Sequence, residues 1–208
     1  MEFLFLIIIL IFSVIIHEVS HGAIADYLGD PTARLAGRLT LNPLKHLDLI
    51  GSFLVPFFLI LMNSPILFAW AKPVPINPRN FRDQKYGSAK AALAGPLANL
   101  GIALFFGLLI RFFPKIESIS GLHFIFGYIV FLNILLAVFN LLPIPPLDGS
   151  HILFAILPNS FRNVKIILSQ FGLFILLFIL FTCSRWLMTF ISLIFEAITG
   201  SPFLSVGI

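Results

Sequence analysis

Long uncharged apolar runs alternate with short polar stretches along most of the chain. The runs lie roughly at Phe3 to Ile16, Leu49 to Ala71, Ala91 to Ile110, Gly121 to Leu147 and Ile166 to Ser184, with a weaker one from Trp186 to Ile198. Runs of this length predict membrane-spanning or re-entrant helices. We therefore predict an all-α polytopic membrane protein with about five to six transmembrane or re-entrant helices.

Two polar connectors between these runs show sequence patterns that are typical of short extended segments. The stretch from Arg34 to Leu41 alternates imperfectly between polar and apolar residues, and a turn-forming Asn-Pro pair follows it. The stretch from Lys72 to Pro78 contains three prolines, which exclude a helix interior. Both are candidates for a short β element at the membrane edge, and a connector without strand pairing is the alternative.

The composition supports a membrane protein without a soluble domain. Of the 208 residues, 59% are hydrophobic and only 11% are charged, and the mean hydropathy is +1.06. We therefore treat residues 1–208 as one domain with core helices at about 3–28, 88–112 and 121–148. A hairpin or re-entrant segment is expected at 49–71, and C-terminal helices at about 150–199. The single cysteine excludes an internal disulfide and a cysteine-based metal site.

The most polar group in the first apolar segment is His17-Glu18-Val-Ser-His21. On a helix, residues i and i+4 share a face, so His17 and His21 can hold one ion with Glu18 beside it. This is the H-E-x-x-H zinc signature, in which the glutamate accepts a proton from the attacking water. A solvated His-Glu pair is the ordinary alternative, but ionisable residues inside a membrane segment cost roughly a few kcal/mol each and are usually functional.

A catalytic zinc site uses three protein ligands, so a third ionisable group is expected. Asp148 follows a long apolar run and a proline-rich stretch, with Gly149 behind it. A carboxylate is a suitable zinc ligand, although an aspartate here could also cap the next helix. The presence of the two histidines favours the metal ligand over the helix cap.

Three motifs in order resemble the site-2 protease family of intramembrane zinc metalloproteases. They are HEVSHG, Ala94-Gly-Pro-Leu-Ala-Asn99, and NLLPIPPLDG beginning at Asn140. The resemblance implies one Zn²⁺ per chain bound by His17, His21 and Asp148. It also implies Glu18 as general base and cleavage of peptide bonds within or next to transmembrane segments.

The connectors GRLTLNPLKHLDLIGS and FAWAKPVPINPRNF are similar to those of the small bacterial and archaeal branch of this family, which lacks PDZ and CBS domains. Leu49 and Ser150-His151 depart from the residues that are frequent in that branch. The resemblance further implies that Asn99 and Asn140 hold substrate or the developing oxyanion. Close helix packing through small residues is an alternative for the Asn99 region, and His151 either orients Asp148 or lies on an uninvolved helix face.

Two other functions remain open at the level of sequence. A membrane protease of another clan, such as a prenyl-protein protease, would share H-E-x-x-H but would leave the LDG stretch unexplained. A non-catalytic membrane binding protein or zinc carrier derived from such an enzyme would not need Glu18. We therefore favour an endopeptidase, whose expected partners are the lipid bilayer and a transmembrane protein or remnant signal peptide, with no nucleic acid.

The extended connectors suggest how such a substrate is held. A transmembrane helix must unwind before its carbonyls can be attacked, and addition of the unwound segment to an enzyme edge strand would keep it open. Arg38 to Leu41 or Val74 to Asn77 would provide that edge.

The distribution of basic residues predicts the orientation in the membrane. If residues 49–71 return to the face that they left, ten Lys and Arg residues share one side and three lie on the other. The ten are Arg34, Arg38, Lys45, Lys72, Arg79, Arg82, Lys85, Lys90, Arg162 and Lys165; the three are Arg111, Lys115 and Arg185. We therefore predict a multi-pass protein of a prokaryotic cell membrane with an external N-terminus and an active site that opens to the cytoplasm.

Overall fold

The computed structural model describes residues 2–48, 54, 58, 61–62, 72–113 and 120–202. In chain order, the α-helices of these ranges are α1 (Glu2–Tyr27), α2 (Thr32–Leu35), α3 (Gly87–Phe112), α4 (Ser120–Asn140), α5 (Asp148–Ile156) and α6 (Arg162–Thr199). Short 3₁₀ turns lie at Pro43–Lys45, Pro78–Asn80 and Asn159–Phe161.

Four helices of the described ranges are long and apolar enough to cross a membrane. They are Leu4–Tyr27 of α1, Gly87–Phe112 (α3), Gly121–Asn140 of α4 and Arg162–Thr199 (α6). The prediction of an all-helical membrane protein is confirmed for the described residues. The hairpin or re-entrant segment predicted at 49–71 lies outside them, apart from four isolated positions, so the total number of membrane segments stays a prediction.

The C-terminal region differs from the two segments that its apolar runs predict. Residues 166–184 and 186–198 belong to one helix, α6, which is 38 residues long and has Arg185 inside it. Residues 173–199 contain no Gly or Pro, so no helix breaker separates the two runs. The helix ends at Gly200, whose φ of 77° forms a left-handed cap that favours glycine.

The helix predicted at 121–148 ends earlier, at Asn140. Pro143, Pro145 and Pro146 follow within six residues, and none of them can donate a helical N–H bond. The chain turns and begins α5 at Asp148. A Cβ at Gly149 would lie 2.2 Å from the carbonyl oxygen of Leu141, so only glycine allows the first turn of α5 to fold back onto the end of α4.

The α3 helix packs against α1, α4, α5 and α6 and is the centre of the bundle. Buried aliphatic and aromatic side chains of α3, α4 and α6 form one core cluster, consisting of Ala103, Ile110, Val130, Ile134, Ile191 and Phe195. Outside this cluster, many large apolar side chains of the long helices are exposed, including Phe174, Phe178 and Phe181 on α6. A surface of this kind is stable in lipid and unfavourable in water.

Contacts between the helices give their relative directions. Along α1, Ser13 contacts Asn133 of α4, and His17 contacts Asp148, which lies beyond the end of α4. The α1 and α4 helices therefore run in the same direction. This direction is needed for Asp148, which follows α4, to reach the histidines near the end of α1.

The α3 helix runs opposite to α1, since His17 contacts Asn99 whereas His21, one turn later, contacts Ala91. At the end of α1, the carbonyl of Leu28 accepts a hydrogen bond of 3.1 Å from the N–H of Arg82. The chain therefore leaves α1 and enters α3 at the same end of the bundle.

The predicted membrane-edge β element is absent from the described part of the chain. Residues 38–41 and 72–77 have no regular secondary structure and form no ladder with one another. Pro73 and Pro75 have no N–H, which removes two of the six backbone donors of the second segment. We call residues Lys72–Pro78 the strap.

Candidate active site

The two histidines of the H-E-x-x-H motif lie one turn apart on α1 and point to the same place. Their Nε2 atoms are 3.0 Å apart, and their rings meet edge to face with centroids at 4.5 Å. Each residue is only 6% exposed, because α3 covers this face of α1. The spacing of the motif thus produces two convergent imidazoles inside the bundle.

Asp148 reaches the same point from the start of α5. Its Oδ2 atom is 3.1 Å from Nε2 of His17 and 3.2 Å from Nε2 of His21. The carboxylate does not cap its own helix, where the N-cap residue is Leu147 and no side-chain cap bond forms. These three residues form a group of potential metal ligands whose atoms lie within 4.8 Å of one another.

The hydrogen bonds of the imidazoles show what this group can bind. Nδ1 of His21 is 2.8 Å from the carbonyl of Ala91, which only accepts, so Nδ1 carries the proton and Nε2 has a lone pair. Nδ1 of His17 is 2.8 Å from Oδ1 of Asn99, which gives the same tautomer. Two nitrogen lone pairs and a carboxylate oxygen therefore face one another, and this arrangement is suited to a cation.

Zinc fits the separations of these atoms. With zinc-ligand bonds of about 2.0–2.1 Å, ligand atoms at the corners of a tetrahedron lie about 3.3 Å apart. The observed separations of 3.0, 3.1 and 3.2 Å are close to this value. Two imidazoles and one carboxylate also match the ligand sets of catalytic zinc sites that keep one position open.

Gly95 on α3 makes the close approach of α3 to the ligands possible. A Cβ at this position would lie 2.4 Å from Nε2 of His21 and 2.7 Å from Cε1 of His17. No side chain larger than hydrogen therefore fits between α3 and the two imidazoles in this arrangement.

A cleft with a volume of about 410 Å³ opens beside the three ligands. Glu18 lines it and is half-buried, together with polar side chains from the end of α4 and from α5. The lining residues also include Pro73, Val74, Ile76 and Pro78 of the strap, and Ser88, Ala91, Ala92, Asn140, Pro146 and His151. The cleft therefore leaves open space next to the three candidate ligands.

The strap contacts the predicted general base directly. The N–H of Val74 donates a hydrogen bond of 2.9 Å to Oε2 of Glu18. The side chain of Val74 packs close to α1, where a Cβ at Gly22 would lie 2.7 Å from Cγ1 of Val74. The strap is thus seated against the helix that carries the motif.

Two buried charged side chains anchor the strap from its other side. The guanidinium of Arg38 donates to the carbonyls of Lys72 at 2.7 Å and Pro73 at 3.3 Å, and also to the carbonyl of Lys45. The carboxylate of Asp30 accepts from the N–H of Asn77 at 2.6 Å. Arg38 was predicted as part of a possible edge strand, but its side chain instead ties two connectors together.

The environment of Asp30 favours its charged form. Its carboxylate is fully buried and accepts from the Thr32 hydroxyl and N–H, the side-chain amide of Asn80 and the N–H of Asn77. Burial raises the pKa of Asp30, but these hydrogen bonds outweigh the effect and hold the pKa below the usual value of 3.8.

The two asparagines predicted to hold substrate lie in different places. Asn140 lines the cleft, and its Nδ2 donates to the carbonyl of Leu136 at 2.9 Å. Asn99 is fully buried, with Oδ1 against His17 and Nδ2 donating to Oδ1 of Asn133 at 2.9 Å. The amide of Asn99 thus faces a candidate metal ligand instead of the cleft, because α1 and α4 enclose it.

Sequence reasoning did not identify three further contacts of the site. Val74 bonds to Glu18 through its backbone, which no side-chain pattern can show. Ser13 and Asn133 connect to Asn99, and their only signal was a polar residue within an apolar run. His151 lines the cleft, and no hydrogen bond joins it to Asp148 in the described structure, so neither of the two alternatives for its position is confirmed.

Together the fold and the site define a helical membrane protein with a candidate metal centre beside a carboxylate. The chain is 38% identical to "Putative zinc metalloprotease YwhC" of Bacillus subtilis over 183 residues, covering 85% of this chain and 80% of that protein. It is 32% identical over 179 residues to "Putative zinc metalloprotease Rip2" of Mycolicibacterium smegmatis, covering 84% and 66% of the two chains.

A shorter match of 66 residues, at 46% identity, relates the chain to "Putative zinc metalloprotease MJ0611" of Methanocaldococcus jannaschii, covering 32% of this chain and 33% of that protein. Residues 115–179 match Peptidase family M50. The chain therefore belongs to peptidase family M50, the site-2 protease family of membrane zinc metalloproteases. This membership removes the prenyl-protein protease alternative. No solved structure matches the chain.

Proposed function

We propose that this protein is a zinc-dependent endopeptidase that cleaves peptide bonds within or next to transmembrane segments. The observation that carries the proposal is the convergence of three lone-pair atoms within 3.2 Å beside Glu18, in a cleft between apolar helices. His17, His21 and Asp148 would hold one Zn²⁺, which when bound polarises the scissile carbonyl and makes water a stronger acid.

Glu18 is the general base in this mechanism. The Val74 N–H donates to Oε2, whereas Oε1 has no hydrogen-bond partner among the described residues, and Glu18 lines the cleft. Glu18 accepts a proton from the attacking water and delivers it to the leaving amine. Asn140, which lines the cleft, is the candidate donor to the developing oxyanion, as the resemblance implies.

The strap is the candidate edge for substrate addition. Its anchored side uses the Pro73 carbonyl and the Asn77 N–H, while the N–H of Val74 points to Glu18 and the cleft. The N–H of Ile76 and the carbonyls of Val74 and Ile76 have no partner among the described residues, so an unwound substrate can pair with them. Residues 38–41 do not line the cleft, which favours Val74–Asn77 over the other candidate edge.

The proposed substrate is a transmembrane protein or a remnant signal peptide, because the site lies between helices whose outer faces suit lipid. The proposed location is a prokaryotic cell membrane with the cleft open to the cytoplasm. The relatives from Bacillus, Mycolicibacterium and Methanocaldococcus support a prokaryotic source. The basic residues at the end of the bundle that holds the strap support the cytoplasmic orientation.

Wild-type protein and Glu18→Gln in liposomes provide the test, with single-span proteins and signal peptides as substrates. We expect wild type to cleave inside or beside the apolar segment of a substrate, as mass spectrometry of the products would show. Glu18→Gln should keep its zinc and lose at least about 10²-fold in rate, since Gln cannot accept the proton. Cleavage by Glu18→Gln near the wild-type rate would contradict the proposal. Zinc binding without cleavage in wild type would favour a non-catalytic binding protein or zinc carrier.

A further inference from the structure

A chain of hydrogen bonds runs from a candidate zinc ligand through three helices. Nδ1 of His17 on α1 meets Oδ1 of Asn99 on α3 at 2.8 Å, and Nδ2 of Asn99 meets Oδ1 of Asn133 on α4 at 2.9 Å. Nδ2 of Asn133 then donates to Oγ of Ser13 at 3.0 Å, back on α1. Asn99 and Asn133 are fully buried and Ser13 nearly so, which makes each unpaired group in this chain costly.

The direction of the chain is set at its far end. Nδ2 of Asn133 also donates to the backbone carbonyl of Ile129 at 2.8 Å, and a carbonyl can only accept. Oδ1 of Asn133 must therefore face Asn99, and Nδ2 of Asn99 must donate to it. Oδ1 of Asn99 then faces His17, whose Nδ1 must carry the proton. The lone pair of His17 is left on Nε2, the atom that faces His21 and Asp148.

The two histidines obtain the same tautomer in different ways. His21 donates to the Ala91 carbonyl, which offers an acceptor and nothing else. His17 meets a side-chain amide, which can present either an acceptor or a donor depending on its rotation. A reversed Asn99 would place a donor against Nδ1 and move the ring proton to Nε2, where it would block a metal. His17 therefore needs a second group that fixes the rotation of Asn99.

We propose that Asn133, tied to α1 by Ser13, is a positioning residue that fixes the Asn99 amide and thereby keeps Nε2 of His17 free for metal. This inference rests on the proposed zinc site, and it assigns a role to residues that do not line the cleft. Partners of this outer kind orient metal-binding histidines and typically contribute about 10- to 100-fold to metal affinity.

Competition between purified protein and a chromophoric zinc chelator measures this contribution without an activity assay. Asn133→Leu, similar in size but unable to bond, should weaken zinc binding by about 10- to 100-fold. Ser13→Ala leaves the Ile129 carbonyl in place, so it should weaken binding less. Ile134→Ala is the matched control, because Ile134 is an equally buried neighbour outside the hydrogen-bonded chain. It should lower the thermal unfolding temperature and leave zinc affinity unchanged.

Rescue of zinc affinity by a second substitution shows whether Asn133 positions the Asn99 amide or only supports the fold. A carboxylate presents an acceptor in either rotation, so Asn99→Asp should hold Nδ1 of His17 without help from Asn133. Zinc affinity should then be restored in the double variant Asn99→Asp, Asn133→Leu. If the Asn133→Leu variants fail to fold, Ser13→Ala with and without Asn99→Asp gives the same comparison, because it removes only one hydroxyl. Wild-type affinity in Asn133→Leu, or an equal loss with and without Asn99→Asp, would overturn the inference. Failure of wild type to bind zinc would instead refute the proposed function.

Discussion

Gly95→Ala tests the geometry of the candidate metal centre with a single methyl group. A Cβ at position 95 would lie 2.4 Å from Nε2 of His21 and 2.7 Å from Cε1 of His17. Non-bonded carbon contacts are ordinarily about 3.5–4.0 Å, so the imidazoles must retreat by about 1 Å. The substitution therefore acts on the metal ligands while leaving all of them present.

The expected effect is large because metal coordination tolerates little displacement. Zinc-ligand distances vary by only about 0.2 Å, so a shift of about 1 Å removes at least one ligand. Substitution of residues that only hydrogen-bond to metal ligands already lowers metal affinity by about 10- to 100-fold. We therefore expect Gly95→Ala to weaken zinc binding by at least about 100-fold, or about 2.8 kcal/mol. Overpacking should also destabilise the fold by about 1–3 kcal/mol.

The assay is the zinc content and chelator competition of the purified protein, with Gly101→Ala as the matched control. Gly101 is on the same helix, is exposed, and a Cβ there would meet nothing within 4 Å. Gly101→Ala should keep full zinc affinity and is expected to stabilise the helix by up to about 1 kcal/mol. If Gly95→Ala bound zinc as tightly as Gly101→Ala, the proposed position of the ligands against α3 would be wrong.

Two further predictions concern the strap. Val74→Pro removes the N–H that holds Glu18, and we expect at least about 10-fold slower cleavage at unchanged zinc content; an unaffected rate would show that this contact is dispensable. Asp30→Asn places an amide donor against an N–H donor and should destabilise the protein by about 1–3 kcal/mol at neutral pH, as thermal unfolding would measure. Because the folded pKa of Asp30 is lowered, the stability that its charge provides is present above 3.8 and is lost as the pH falls through the folded value. The difference between wild type and Asp30→Asn should therefore shrink below pH 3.8, and a constant difference would contradict this role.

The metal group could be predicted from local spacing and from the scarcity of charge in the apolar segments. His17 and His21 are four residues apart, so any helix brings them together. Because a catalytic zinc site uses three protein ligands, the motif also led us to look for a third, which is Asp148. Asn99 shows the limit of this reasoning. A polar residue in an apolar run requires a partner, but helix packing decides whether that partner is substrate, ligand or another helix. Asn99 contacts His17 only because α3 packs against α1, and the two residues are 82 positions apart in sequence.

The connectors were harder to predict than the helices, because long-range contacts determine their structure. The alternating residues around Arg38 suggested a strand, yet its guanidinium bonds to backbone carbonyls of the strap and of a 3₁₀ turn. In α6, the apolar pattern broke at Arg185, although no helix-breaking residue is present there. Charge was therefore a poor marker of a helix boundary. The prolines after Asn140 do mark the end of α4, although the predicted helix at 121–148 ran through them.

X-ray absorption at the zinc edge tests the central claim most directly. Purified protein carrying Glu18→Gln, which prevents turnover, should contain one zinc with two imidazole nitrogens and oxygen ligands at about 2.0–2.2 Å, and no sulfur. Adding His21→Ala should remove one imidazole or abolish zinc binding, and Asp148→Ala should weaken it. Two imidazoles that persist in His21→Ala, or full zinc retention in both variants, would contradict the proposed site.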